Sequence, residues 1–188
     1  MSVKIKELKD EGMVISFKAK NLPIPFANAI RRSCLVWVPT YAIDEVVMYE
    51  NNSAFFDEYI ANRIGLIPIT TPKTYDEEVM FTLNVEGPMT VFSEKLESNH
   101  PKVRVANTKI PLIELGPKQV LRLEGIARKG TGRRHAKFQP GFIRYGYEKE
   151  DEVEFYVESF GQMKAKDILQ RALEGLISRC KEVEKALQ

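Results

Sequence analysis

Reactive side chains are scarce in this sequence of 188 residues, which contains two cysteines and two histidines. Neither His100 nor His135 has a cysteine or carboxylate at the spacing of a metal site. Cys34 and Cys180 both lie in apolar, helix-like patterns, which favours buried free thiols over a disulfide or metal ligands. GxSxG, HExxH and EF-hand patterns do not occur, so the sequence indicates no catalytic residue and no metal site of its own.

Three further classes of protein are disfavoured by what is missing. The segment GTGRRH at 130–135 lacks the third glycine of GxGxxG and the GK[ST] of a P-loop, so nucleotide binding is not expected there. The net charge of only +2 does not indicate a general nucleic-acid binder. No apolar run reaches the length of a membrane span and no signal peptide precedes the chain, so we expect a cytoplasmic protein without membrane contact.

The most informative stretch is Phe26–Asp44, which reads as a helix followed by the entry to a strand. Pro23 and Pro25 stand where a helix start tolerates proline, and Pro39 ends the pattern. Apolar and small residues recur every three or four positions on one face, whereas Arg31 and Arg32 lie off it. By itself this pattern fits a core helix with solvated arginines as well as a docking helix.

The remaining elements follow from alternation and turn residues. Val3–Leu8 and Met13–Ala19 read as a hairpin closed by Gly12, and Phe56–Ile64 as a short helix ended by a left-handed Gly65. Further strands are predicted at Ile43–Tyr49, Val79–Val85, Met89–Ser93, Ile110–Leu115, Val120–Ala127, Phe142–Tyr147 and Val153–Ser159. Within this set, Val79–Val85 is predicted to pair with Met89–Ser93, and Ile110–Leu115 with Val120–Ala127. The longest helix, roughly Lys164–Leu187, has one continuous apolar stripe.

These elements predict an α+β protein with a discontinuous domain. Residues 1–42 and 153–188 would supply a small sheet and two helices, interrupted by an inserted β-rich domain at 43–152. The terminal part is too small to cover both amphipathic helices, and such units commonly borrow core from a partner.

The stretch Arg128–Pro140 concentrates positive charge around two glycines, which are expected to make it flexible. Its cations could neutralise the phosphates of a nucleic acid, contact an acidic groove on a partner protein, or belong to an ordinary solvated loop. A stand-alone nucleic-acid-binding protein using 128–137 is therefore the alternative to an assembly role. The charged segment 57–63 offers a similar choice between an exposed helix face and a docking surface.

Four segments are informative together: ANAIRRSCLVWVPTYAID (27–44), DEYIANRIGLIPI (57–69), KGTGRRHAKFQP (129–140) and FYVESFGQMKAKDILQRALEGL (155–176). In combination they resemble the D-subunit family of archaeal RNA polymerases. That family is related to the third-largest eukaryotic polymerase subunit and to the amino-terminal domain of bacterial alpha. The resemblance spans nearly the whole chain in the order of the family.

The resemblance implies a non-catalytic assembly platform whose terminal domain pairs with a smaller alpha-like subunit. That heterodimer docks the second-largest and largest polymerase subunits, contacts small accessory subunits and meets DNA only through the complex. The alternative is a homodimer like that of bacterial alpha, which would have the same fold but a second copy of this chain as its partner. The implied dimer interface is Phe26, Ala29, Ile30, Ile168, Leu169, Ala172, Leu173, Leu176 and Cys180. The implied large-subunit contacts are Arg31, Arg32, Arg63, Lys129, Arg133, Arg134, His135 and Lys137.

The chain departs from the family pattern in one respect. Many members carry a ferredoxin-like domain with an iron–sulfur cluster near the position of Tyr147–Val153, where this chain has only the short segment EKEDE and no cysteine. No cofactor is therefore expected in this chain. The aspartate motif that holds magnesium in the largest polymerase subunit is also absent, so the resemblance implies an active site located in other subunits.

Overall fold

The computed structural model describes residues 2–149 and 152–187 and divides the chain into two compact units. The terminal unit consists of Met1–Pro39 and Thr131–Gln188, and the middle unit of Thr40–Gly130. Three α-helices and ten strands occur in the described residues. The predicted α+β class, with a discontinuous terminal domain and an inserted β-rich domain, is confirmed.

The terminal unit is built on an antiparallel sheet of four strands. These strands are β1 (Lys4–Asp10), β2 (Val14–Lys20), β9 (Gly141–Lys149) and β10 (Glu152–Ser159). Their order in the sheet is β1-β2-β10-β9, so the two chain segments meet where β2 pairs with β10. Gly12 closes the predicted β1–β2 hairpin with a φ of 80°, a left-handed conformation that glycine adopts without steric cost.

Two helices cover one face of this sheet. Helix α1 (Ile24–Val36) begins behind Pro23, whose carbonyl accepts the N–H of Ala27 at 3.0 Å, and helix α3 (Ala165–Ala186) follows a left-handed Gly161. Strand β10 alternates between buried and exposed residues as predicted, because side chains of successive strand residues point to opposite faces. The core between sheet and helices is formed by Ile15, Ala19, Ile143, Val153, Phe155 and Val157 with Ala27, Ile30, Cys34, Ala165, Ile168, Leu169 and Ala172.

The position of β9 sets the extent of the terminal unit. Its residues pair with β10 from Gly141↔Ser159 to Lys149↔Glu152, which makes β9 the edge strand of the terminal sheet. Residues 131–149 therefore pack with the chain termini, whereas the sequence assigned 43–152 to the inserted domain. Within the short acidic run at 148–152, Glu150 and Asp151 lie outside the described residues.

The middle unit contains two sheets and one helix. Its elements are β3 (Thr40–Asn51), α2 (Asp57–Gly65), β4 (Val79–Glu86), β5 (Met89–Phe92), β6 (Glu97–Ser98), β7 (Pro111–Leu115) and β8 (Val120–Gly130). One sheet has the order β3-β8-β4-β6 and the other pairs β5 with β7. Their apolar faces share a core with α2, to which Tyr41, Phe81 and Ile64 contribute fully buried side chains.

Both predicted hairpins of the middle unit are wrong. Strand β4 pairs with β8 along its whole length, and β5 pairs with β7, so neither pair of sequence neighbours is a pair in space. Turn residues mark where the chain reverses but do not choose the partner strand, which is decided by packing of the buried faces. The Gly-Pro turns at 87–88 and 116–117 therefore carry the chain between the sheets.

The predicted left-handed Gly65 is also wrong. Gly65 is the last residue of α2, and the following Leu66 has a φ of −86°. The N–H of Leu66 donates to the carbonyls of Asn62 and Arg63 at 3.2 and 3.3 Å, so tightened hydrogen bonds end the helix.

Candidate protein–protein interface

Helix α3 is buried in its first half and exposed in its second. Ala165, Ile168, Leu169 and Ala172 pack into the core of the terminal unit, whereas every residue from 177 to 187 is exposed. The stripe continues regardless of this change, with apolar residues separated by alternating steps of four and three at 169, 173, 176, 180, 183 and 187. Such spacing is typical of a helix that packs against another helix.

The nine residues predicted for the dimer interface fall into two groups. Ile30, Ile168, Leu169 and Ala172 are buried in the chain's own core. Phe26, Ala29, Leu173, Leu176 and Cys180 remain exposed or half-buried and are available to a partner. The apolar stripe of α3 does not tell buried residues from those available to a partner, because the sequence does not show where the sheet stops supporting the helix.

On helices α1 and α3, two exposed apolar residues were missed by the sequence reasoning. Ile24 at the start of α1 is 52% exposed, and Ile177 beside Leu176 is 57% exposed. Ile177 directly follows Leu176, a position of the apolar stripe. The helical pattern therefore places it at the edge of the stripe, and it could have been included in the predicted interface. Together with Val183 and Leu187 it widens the apolar surface at the end of α3.

The prediction that both cysteines are buried is wrong for Cys180. Cys34 is fully buried under the sheet, where burial raises the pKa of its thiol to about 12. Cys180 is exposed in this chain, because the part of α3 that carries it extends beyond the core.

Thiol labelling should therefore distinguish the two cysteines. In the folded chain, a maleimide reagent is expected to modify the exposed Cys180 within minutes and the buried Cys34 only after unfolding. The reagent reacts with the thiolate, and burial keeps the Cys34 thiol both protonated and inaccessible. Mass spectrometry of the labelled protein measures this directly, with Cys180→Ser as the control. Rapid double labelling of the folded protein would contradict the packing of α1.

The basic stretch is docked on the end of α1 rather than free. A Cβ on Gly132 would lie 1.9 Å from the carbonyl oxygen of Leu35, so only glycine allows this approach. The N–H of Arg133 donates to the carbonyl of Val36 at 3.2 Å, which satisfies one of the carbonyls left open at a helix end. The expectation that the glycines make this loop flexible is not met at Gly132, where glycine provides space for close contact.

A single tryptophan connects this loop to α3. Trp37, which follows α1, has the guanidinium of Arg133 at 5.3 Å and that of Arg179 at 3.4 Å from its ring centroid. Guanidinium groups stack favourably on indole rings. Trp37 thus contacts one cation from the basic loop and another from the exposed half of α3.

The other predicted docking residues of the terminal unit have different environments. Arg31 is held by Asn28, whose side-chain oxygen accepts from its Nη2 at 2.9 Å, and Arg32 is exposed. His135 is exposed, and its Nδ1 accepts the N–H of Lys137 at 3.1 Å, starting a short helical turn. Arg134 and Lys137 both lie over the ring of Phe138.

Arg128 and Lys129 lie in strand β8 of the middle unit and are paired with carboxylates. Arg128 contacts Glu78 at 2.6 Å and Glu45 at 3.0 Å, which raises its pKa. The ammonium of Lys129 lies 3.2 Å from Asp76. The basic stretch is therefore not one continuous patch of free cations.

Arg63, the remaining predicted contact, lies near the end of α2. Its Nη2 donates to the carbonyl of Pro111 at 2.5 Å, and its guanidinium lies 5.8 Å from the ring centroid of Tyr59. Tyr59 in turn stacks on Phe55 with 5.2 Å between ring centroids. Tyr59 and Arg63 are four residues apart on one side of α2, and Phe55, which precedes the helix, extends this row.

The described residues contain no cluster of three or more His, Cys, Asp or Glu side chains that could hold a metal ion, and none of their helices is long and apolar enough to cross a membrane. An iron–sulfur cluster takes four cysteine thiolates. Cys34 is buried in α1 and Cys180 is exposed on α3, so the two cysteines of this chain do not fit such a cluster.

Comparison with known proteins defines the class first. The model of the RNA polymerase Rpb3/RpoA insert domain matches residues 44–145, more than half of the chain. The β-rich insertion between the two segments of the terminal unit is thus of the kind found in alpha-like polymerase subunits.

Comparison with individual relatives then gives the family. DNA-directed RNA polymerase subunit Rpo3 of Methanocaldococcus jannaschii is 46% identical over 87% of this chain and 83% of its own length. The Rpo3 of Halobacterium salinarum is 36% identical over 92% of both chains, and that of Pyrococcus furiosus is 43% identical over 78% of this chain and 59% of its own. The chain belongs to the Rpo3 family of archaeal DNA-directed RNA polymerase subunits.

These alignments also show that some relatives are longer. The alignment with the Halobacterium protein runs over 229 positions, more than the 188 residues of this chain, so that relative has residues without a counterpart here. The chain spans less than two thirds of the Pyrococcus protein.

Proposed function

We propose that this chain is a non-catalytic assembly platform of RNA polymerase, which pairs with a small alpha-like subunit through its terminal unit. The heterodimer then docks the second-largest and largest subunits, which supply the active site, and meets accessory subunits and DNA only within the complex. Family membership supports the coarse role, that of a transcription polymerase subunit that joins other subunits.

The observation that carries the pairing is the exposed apolar half of α3. Val183 and Leu187 are 60% and 83% exposed, and no described part of the chain covers them. Exposed apolar surface that continues a buried stripe is typical of an obligate interface, since it costs free energy in water and is recovered on association. Phe26 and Ile24 add exposed apolar area at the start of α1.

Docking of the large subunits is supported by exposed cations on ordered elements. Arg32 is exposed on α1 and Arg133 is exposed on a loop anchored at Gly132. Preorganised side chains lose less conformational freedom on binding than mobile ones. Nucleic-acid binding by the isolated chain has less support, because Arg128 and Lys129 already face carboxylates.

The proposal is tested by the solution mass of the chain, alone and co-expressed with the small alpha-like subunit of the same organism. Size exclusion with light scattering should give a 1:1 heterodimer in co-expression, and a self-associating or aggregating species for the lone chain. A stable monomer that ignores this partner would contradict the proposal. A homodimer that persists in the presence of the partner would support the bacterial-alpha mode of pairing instead.

A further inference from the structure

A small apolar cavity lies beside Arg63 in the middle unit. It measures about 170 Å³ and is lined by Arg63, Leu66, Ile67, Ile110 and Leu112. This cavity is open to solvent, so an aliphatic side chain can enter it from outside. Leu66 is 55% exposed at this site, so an aliphatic side chain of a partner could enter and cover it.

Arg63 differs from three other cations of its unit in having no carboxylate partner. Arg122, Arg128 and Lys129 each lie within 4.0 Å of a carboxylate, whereas Arg63 has none at that distance among the described residues. Among the described residues, its one hydrogen bond goes to a backbone carbonyl, and its Nε is buried without a hydrogen-bond partner. A guanidinium has five N–H donors, so several remain for a ligand.

The groups around Arg63 decide which acceptor fits. The row Phe55–Tyr59–Arg63 presents aromatic rings next to the guanidinium, and Asp57 and Glu58 occupy the first turn of the same helix. A polyanion such as nucleic acid would be repelled by these two carboxylates, whereas one carboxylate on a polypeptide can bind the guanidinium with two parallel hydrogen bonds.

We infer that this surface binds a segment of a partner polypeptide in which a carboxylate side chain stands next to a branched aliphatic side chain. The carboxylate pairs with Arg63, and the aliphatic group fills the cavity beside Leu66 and Leu112. The inference rests on the proposed docking function and specifies the chemistry of one docking surface.

Cross-linking within a reconstituted polymerase tests this assignment. A photoreactive p-benzoylphenylalanine replaces Leu66, the enzyme is assembled from its separate subunits, and the cross-linked peptide is identified by mass spectrometry. The peptide is expected to contain Asp or Glu close to Leu, Ile or Val. Adding Arg63→Glu should lower the yield roughly tenfold or more, because two carboxylates then face each other in a desolvated site.

Two further variants provide the controls. Arg63→Lys should retain part of the yield, since lysine keeps the charge but not the two-pronged geometry. Arg104→Glu makes the same charge change at an exposed arginine elsewhere in the middle unit and should leave the yield unchanged. Thermal unfolding of each variant confirms that the fold is intact.

Four results would overturn the inference: a cross-linked peptide without a carboxylate, an undiminished yield with Arg63→Glu, cross-linking to nucleic acid, or no cross-link at all. Heterodimer formation is measured on the same samples. If the heterodimer forms and the cross-link fails, only this inference falls, whereas loss of the heterodimer in the parent chain would remove the proposed function itself.

Discussion

Replacing Leu173 with glutamate is expected to weaken pairing with the small alpha-like subunit strongly while leaving the chain folded. Leu173 is 37% exposed, so its own unit tolerates a polar side chain there. Within a helix–helix interface, however, the carboxylate would be buried without a partner, which costs several kcal/mol. A loss of about 3 kcal/mol corresponds to roughly a hundredfold weaker Kd, measurable by light scattering or calorimetry.

The matched control places the same charge on the opposite side of α3. Ser178→Glu introduces a carboxylate roughly 180° from the centre of the stripe, at an exposed position. Its proximity to Glu174 and Glu182 costs only a few tenths of a kcal/mol in helix stability. Leu176→Glu is a less clean test, because Leu176 also packs against the core of the terminal unit. Normal pairing by the Leu173→Glu variant would show that α3 does not lie in the interface.

Substitution of Gly132 by alanine is expected to detach the basic loop from α1. The new Cβ would overlap the carbonyl oxygen of Leu35, which belongs to the backbone and cannot move aside without distorting the helix. Overpacking of this kind costs about 1–3 kcal/mol. For a chain of this size each kcal/mol lowers Tm by about 2–4 °C, so a decrease of up to ~10 °C is expected.

The fluorescence of Trp37 measures this detachment, because it is the sole tryptophan and contacts Arg133 of the loop. Gly146→Ala is the control, since a Cβ there meets nothing within 4 Å. Heterodimer formation should survive Gly132→Ala, whereas docking of the large subunits should weaken. An unchanged Tm and emission spectrum would contradict the close contact between the loop and α1.

Local patterns in the sequence were sufficient for most elements of this fold. The alternation in β10 and the stripe of α3 depend on neighbours within a few residues, and both elements occur where predicted. The pairing of β4 with β8 joins residues about forty positions apart, and no turn residue encodes such a choice. The strand partners of the middle unit were therefore wrong although its strands were placed well.

The candidate interface shows a similar division. Sequence periodicity identifies which side of α3 is apolar, but the exposure of Leu173 compared with Ile168 depends on where the sheet ends beneath the helix. The carboxylate partners of Arg128 come from β3 and from the segment before β4, and could not be inferred from the composition of the loop. The roles of the predicted contact residues remain predictions for the experiments described above.

The exposed end of α3 also has a consequence for the fate of an unassembled chain. Beyond the contact of Arg179 with Trp37, the last turns of α3 have little tertiary support. A helical segment with so little support is marginally stable in water, so its backbone opens easily. Lys181 and Lys185 in this segment are then accessible to a trypsin-like protease. A partner that covers the apolar stripe would keep this segment helical and protected. Proteolysis would therefore remove unassembled chains and spare assembled ones.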